Sequence, residues 1–293
     1  MHDQKRMRQR STDPLAPSMT NSGLDIDVAG CAISAAGDEP LLVAEDLSKY
    51  YGSHLGCRDV SFALHEGEVV SVVGESGSGK STLLQLLSAQ LKPSDGRVLY
   101  RMRDGRLRDL AALTEAERRL LFRTDWGYVH QDPVLGLRMA VSAGGNVGER
   151  LMAVGWRHYG RIRAVAADWL ERVEIDVERI NDSPRIYSGG MRQRLQIARN
   201  LATEPRLLLM DEPTGGLDVS VQARLLDLLR RLVVELGLAV VVVTHDLSVA
   251  RLLSDRIMVM KGGEIIETGL TDQVLDDPHE AYTQLLVSSI LPP

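Results

Sequence analysis

The chain has 293 residues and is poor in the residues that several kinds of protein depend on. Its two cysteines, Cys31 and Cys57, cannot build a zinc cage or a disulfide framework, which fits a protein made for a reducing compartment. No apolar run approaches the roughly 20 residues that span a bilayer. The most hydrophobic, Leu238-Ala239-Val240-Val241-Val242-Val243, has six. Lys5, Arg6, Arg8 and Arg10 are followed by no apolar stretch, so no secretory signal is expected and the reading is a cytoplasmic protein. Aromatics are scarce, with three Trp, two Phe and seven Tyr, and 34 Lys+Arg against 40 Asp+Glu leave a net charge of −6. A nucleic-acid reader needs a basic surface or a platform of stacking rings, so nucleic acid is excluded as a partner.

What is present changes character near residue 40. Residues 1–40 are rich in Ser, Asp, Pro, Gly and Ala without a period of 2 or 3.6, and are expected to form a disordered N-terminal extension. From Leu41 onward, short β-branched runs alternate with helical patterns, the mark of a parallel sheet covered by helices. Val69–Val73, Leu207–Met210, Leu238–Val243 and Ile257–Met260 read as buried strands; Leu83–Leu91 and Ser220–Leu236 read as helices. Thr114 and Glu117 fit a capping box. Between about Val141 and Ile186 the apolar strands vanish and helical patterns dominate, which predicts a helical insertion in an α/β core.

Gly74-Glu75-Ser76-Gly77-Ser78-Gly79-Lys80-Ser81 matches the phosphate loop G-x-x-x-x-G-K-[ST], in the strand–turn–helix context that the motif requires. Its backbone N–H groups and the helix N-terminus would cradle phosphates, with Lys80 on the terminal phosphates and Ser81 on Mg²⁺. A second buried strand ends in Met210-Asp211-Glu212. There Asp211 would join the Mg²⁺ shell and Glu212 would polarise an attacking water. Ser188-Gly189-Gly190 opens a further helix and offers a second anion site.

Together these motifs resemble the ABC-type ATPases, and the resemblance covers residues 41 to about 290. Tyr187-Ser188-Gly189-Gly190-Met191-Arg192-Gln193 resembles the family's signature sequence, with Tyr187 and Met191 in place of the usual Leu and Gln. Asp218 resembles the D-loop, His245 the switch histidine, Gln131 the Q-loop, and Tyr51 the ring that stacks on adenine. The resemblance implies a P-loop NTPase core of RecA-like type, with an antiparallel β subdomain and an inserted helical subdomain at about 135–187, all within one domain over 41–293. It also implies a head-to-tail homodimer around two ATP and Mg²⁺. Glu212, His245 and Gln131 would be catalytic, and Ser81, Gln131 and Asp211 would face the metal. Tyr51, Gly74, Glu75, Ser76, Gly77, Ser78, Gly79, Lys80, Ser81, Thr82, Ser188, Gly189, Gly190 and Asp218 would bind nucleotide.

What such an engine drives is a separate question, because the fold serves many tasks. The runs Thr124–Gln131, Arg138–Met152 and Arg157–Gly160 resemble the ATPase subunits of bacterial phosphonate C–P lyase systems, and Trp126 marks this stretch. That resemblance implies docking on a soluble lyase core. The signature and the run Asp277–Leu286 resemble ATPases of peptide- and nickel-type importers, which dock on membrane permeases. A nucleotide-gated clamp with little hydrolysis is the third reading, and an intact Glu212 speaks against it.

Overall fold

A computed structural model describes residues 39–289; the expectation of a disordered extension over residues 1–40 lies, but for its last two residues, outside the described residues. Two sheets organise the chain. The strands β1 (Leu42–Tyr51), β2 (His54–Leu64), β4 (Asp95–Arg101) and β5 (Leu107–Asp109) form an antiparallel sheet in the order β2-β1-β4-β5. The second sheet contains β3 (Val69–Val73), β6 (Trp126–Val129), β7 (Leu207–Asp211), β8 (Ala239–Thr244), β9 (Arg256–Lys261) and β10 (Glu264–Leu270). Its order is β10-β9-β3-β8-β7-β6, parallel except for the β9/β10 hairpin.

The parallel strands read as continuous apolar runs because both faces are covered. Leu208, Met210, Val240 and Val242 face one core, shared with the helices α4 (Ala143–Ala153), α5 (Tyr159–Arg172), α6 (Gly189–Leu201) and α7 (Val219–Leu236). Leu207, Leu209, Val241 and Val243 alternate with them onto the opposite face. There α1 (Lys80–Leu87) lies among residues of both sheets, contributing Leu83, Leu84, Leu86 and Leu87. The remaining helices are α2 (Glu115–Thr124), α3 (Pro133–Gly136), α8 (Leu247–Leu253), α9 (Thr271–Asp276) and α10 (Ala281–Ser288). None of the described helices is long and apolar enough to cross a membrane.

The expected strands are all present within a residue or two of their predicted bounds. The helix after the phosphate loop is a correction: it begins at Lys80 and ends at Leu87, whereas Leu83–Leu91 was expected, because the helix starts on the phosphate-loop lysine itself, ahead of the first apolar residue. The Thr114–Glu117 capping box forms, with Thr114 Oγ1 accepting from the Glu117 N–H at 3.3 Å. From 141 to 186 the chain holds α4, α5 and short 3-10 turns, and no strand.

Trp126, which marks the Thr124–Gln131 stretch, is 0% exposed. Tyr100 and Phe122 pack edge-on against its ring at centroid distances of 5.1 and 5.3 Å. Beside it lies a buried polar knot. Asp125 accepts from the Tyr100 hydroxyl at 2.7 Å and from Arg206 Nη2 at 2.6 Å, and pairs with Arg103 at 2.7 Å. Burial alone would push the Asp125 carboxyl up. The hydrogen bonds from Arg206 and Tyr100, with the Arg206 and Arg103 charges, hold it below its ordinary value. The knot ties β4 of one sheet to the starts of β6 and β7 in the other.

Candidate phosphate and nucleotide site

Four neighbouring strands, β3, β8, β7 and β6, each deliver one motif at the C-terminal edge of the sheet. The phosphate loop follows β3, His245 follows β8, Asp211 and Glu212 end β7, and Gln131 follows β6. Strands that are remote in sequence are thus side by side, with Val73 paired to Thr244 and Asp211 to Val243. Such a crevice is where open α/β sheets bind ligands.

The loop is held from outside as well as by its own sequence. Gly74 and Gly79 have φ of 155° and 105°. A Cβ at Gly74 would overlap the Met260 carbonyl, and one at Gly79 would overlap the Gly56 carbonyl. The Gly263 N–H donates to the Ser78 carbonyl at 2.9 Å, and the Glu75 N–H donates to the Tyr282 hydroxyl at 3.2 Å. Gly56, Met260, Gly263 and Tyr282 are therefore site residues that motif reading missed. One signal was available, the Gly262-Gly263 pair between two apolar runs, which announces the β9/β10 hairpin.

Lys80 is buried and donates from Nζ to the Gly74 and Glu75 carbonyls at 2.7 and 2.8 Å, with Ser78 Oγ at 3.5 Å. Burial pushes its amine down, opposed by the charges of Glu212, Asp211 and Glu75. Ser81 Oγ donates to Asp211 Oδ1 at 3.3 Å across the crevice. Burial raises the Asp211 carboxyl, and the neighbouring Glu212 charge adds to this against Ser81 and Lys80. A hydroxyl and a carboxylate are the hard oxygen donors that Mg²⁺ accepts alongside phosphate oxygens, so these residues fit that ion. Among the described residues no cluster of three or more His, Cys, Asp or Glu forms an all-protein cage.

Glu212 has a φ of 43°, a left-handed backbone uncommon for a non-glycine residue. Its N–H donates to the Val243 carbonyl at 2.9 Å. Its carboxylate bridges two neighbours, Oε1 to His245 Nδ1 at 2.9 Å and Oε2 to Thr244 Oγ1 at 3.2 Å. Thr244 is a further member that the sequence did not single out. With Nδ1 engaged, Nε2 is the ring nitrogen of His245 left to face a ligand. Tyr51, 45% exposed, ends β1. A Cβ on Gly56 would lie 2.9 Å from both Tyr51 Cε2 and Thr82 Cγ2, so the ring sits close to the start of α1.

The other predicted residues gather elsewhere. Ser188 caps α6, with Oγ accepting from the Met191 N–H at 3.3 Å. Gly190 is packed on Val221. Gln131, Gly189 and Gly215–Leu217 line one open groove, and Asp218 follows it as the cap of α7. Gln131 is thus beside Gly215, and no hydrogen bond joins it to Ser81 or Asp211 among the described residues. No hydrogen bond or ion pair joins Ser188–Gly190 to the phosphate loop among the described residues. Met191 packs on the core, and its sulfur accepts from Arg179 Nη1 at 3.4 Å.

The family described as ABC transporter matches residues 57–215. The protein of Escherichia coli (strain K12) that bears the name phosphonates utilization ATP-binding protein PhnK is 64% identical over 254 residues, covering 87% of this chain and 99% of its own. The oligopeptide transport ATP-binding protein OppD of Bacillus subtilis (strain 168) is 37% identical over 261 residues, covering 85% of this chain and 72% of its own. Among solved structures, the dimeric ATP-binding cassette MJ0796 in a post-hydrolysis state bound to ADP and Pi superposes with a TM-score of 0.70 at 32% identity, covering 78% of this chain and 98% of that one. A phosphate loop, an acidic strand end and a capped Ser-Gly-Gly helix on a sheet of this topology have one common explanation: the chain belongs to the ABC transporter family, with the fold of its P-loop cassettes, and is an ATPase.

Proposed function

We propose that this ATPase serves phosphonate utilization, closing head to tail with a second copy around two ATP and docking on the soluble C–P lyase core in the cytoplasm. The observation that carries the reading is the 64% identity to PhnK, which runs over 99% of that protein's length. The ATPase domain would span 41–293, with the helical subdomain at about 135–187 as its partner-facing part. The importer reading keeps one observation in its favour, the 37% identity to OppD, and it is the weaker match by that measure.

The site's own residues account for the steps. Lys80 would exchange the Gly74 and Glu75 carbonyls for oxygens of the terminal phosphates. The loop N–H groups between Gly74 and Thr82 would bind the rest of the chain of phosphates, and Tyr51 would stack on the adenine. Ser81, Asp211 and Gln131 would hold Mg²⁺, which when bound neutralises charge on the phosphate oxygens. Glu212 would take the proton of the attacking water on a carboxylate oxygen; His245 and Thr244 fix that carboxylate's orientation. His245 Nε2 would face the γ-phosphate. Because phosphoryl transfer gains chiefly from positioning and electrostatics, the reaction waits on closure. Closure would bring the partner copy's signature helix over the loop, which would explain why one chain carries two separate phosphate-binding elements.

Full-length Glu212→Gln, charged with MgATP, tests both halves of the reading. Its steady-state turnover should fall about 10²–10⁴-fold with ATP still bound, the usual weight of a general base. Used as bait, it should retain soluble lyase subunits; multi-span permeases in their place would move the assignment to the importer class. Near-normal turnover would remove Glu212 from the role of base.

A further inference from the structure

Strand β6 is the outer strand of its sheet, and an outer strand leaves the N–H and C=O of every second residue without a strand partner. Here α6 supplies the partners from its side chains. Asn200 accepts the Tyr128 N–H at 3.1 Å and donates to the Tyr128 carbonyl at 3.0 Å. Gln196 treats His130 in the same way, accepting its N–H at 2.8 Å and donating to its carbonyl at 3.1 Å. Gln193 donates to that carbonyl at 3.4 Å and accepts from Gln196 Nε2 at 3.1 Å. Positions 193, 196 and 200 share one helical face, and all three side chains are buried. Two amides therefore stand where a further strand would lie. An apolar face could have covered the same edge, but it would have left four backbone groups unpaired.

Gln196 meets the loop a second time. Gly136, at the end of α3, lies so close that a Cβ there would overlap Gln196 Oε1. Gln131 lies between His130 and Gly136, so one fully buried side chain grips its loop on both sides. The helix bearing that side chain starts at Ser188.

We propose that Gln196 is a positioning residue for Gln131: it fastens the Gln131 loop to the helix of Ser188–Gly190, so that both elements move as one body. The proposal rests on the role given to Gln131 above. In a head-to-tail dimer these two elements serve different nucleotides, so Gln196 links the two sites through a single chain. It does so without touching nucleotide itself.

The test is a double-mutant cycle on the full-length chain, read as kcat, KM for MgATP and thermal midpoint. Gln196→Met keeps the volume and removes the amide. It should lower kcat about 10–10²-fold, the cost of a misplaced reacting group, with KM nearly unchanged because the phosphate loop and Tyr51 are untouched. In a Gln131→Ala background the same substitution should have no further effect on kcat. Gly136→Ala displaces the loop by a different route and should repeat the pattern, which keeps the test intact if Gln196→Met folds poorly. Equal fold-losses from Gln196→Met or Gly136→Ala in both backgrounds overturn the proposal and leave the role of Gln131 standing. Wild-type kcat in Gln131→Ala alone overturns that role, and the proposal with it.

Discussion

Tyr51 and Trp126 show how differently two aromatic residues in an aromatic-poor chain can be used. Tyr51 is half exposed at a strand end, with Lys49 Nζ 5.6 Å from its ring centre and its edge close to Gly56. An exposed ring beside the phosphate loop has no packing role large enough to explain its place. Tyr51→Ala should therefore weaken ATP binding by about 1–3 kcal/mol, the worth of a base–aromatic stack, while Tyr51→Trp should retain it. Displacement of a fluorescent ATP analogue measures this, and unchanged affinity in Tyr51→Ala would place the adenine elsewhere. Trp126 is the opposite case: its sequence neighbourhood resembles that of particular relatives, but its ring is in the core. Resemblance marks a stretch without saying which of its side chains face outward, and burial is decided by what the fold lays on top. The phosphate loop, Asp211 and Glu212 were legible because local order specifies them: a strand, a tight turn, a helix. Gly56, Met260 and Tyr282 were not legible, since they reach the loop from other strands and a helix, and the Gly262-Gly263 pair announced a hairpin without saying what it touches.

At the scale of elements, the structure depends on a few polar joints between otherwise apolar layers. The Asp125 knot is one of them, fixing β4 of the antiparallel sheet against the starts of β6 and β7. The folded carboxyl is held below its ordinary value of 3.8, so its protonation is harder in the folded chain than in the unfolded one. It follows that the stabilisation is complete above that value and is lost as pH falls through the lower, folded value. Asp125→Asn should cost about 3–5 kcal/mol at neutral pH, the penalty for breaking a buried ion pair. It should also flatten the acid limb of the stability curve below about pH 4. Denaturant unfolding of wild type and variant across this range gives both quantities. An acid limb as steep in Asp125→Asn as in wild type would assign acid sensitivity to other carboxylates. The same strand β6 is then held along its outer edge by Asn200 and Gln196. The strand that carries Gln131 is thus fixed by polar groups at its start and along its free edge.

For the whole molecule, the decisive feature is that no hydrogen bond or ion pair joins the phosphate loop to Ser188–Gly190 among the described residues. If each nucleotide needs both, two chains are required. Lys80→Ala and Ser188→Arg chains should each be inactive alone. Mixing them should restore roughly a quarter of wild-type hydrolysis, because in a two-fold dimer half the pairs are mixed and each mixed pair keeps one intact site. A mixture as inactive as its components would refute the shared-site arrangement. The antiparallel sheet matters at this scale too, since Gly56 and Tyr51 bring it against the loop.

The sequence by itself determined the chemistry of this protein. A run of eight residues from Gly74 to Ser81, and acids at the end of a buried strand, state phosphate binding and hydrolysis in local terms that survive without a fold. Tertiary structure decided which residues share a site. Strand order places β3, β8, β7 and β6 side by side although they are scattered over more than half of the chain. That adjacency joins Glu212 to His245 and Ser81 to Asp211, and it turns three amides of α6 into the support of a strand edge. The physical reason is that hydrogen bonds between sheet strands and the burial of apolar faces act across the whole chain. No window of sequence contains both partners of such a contact.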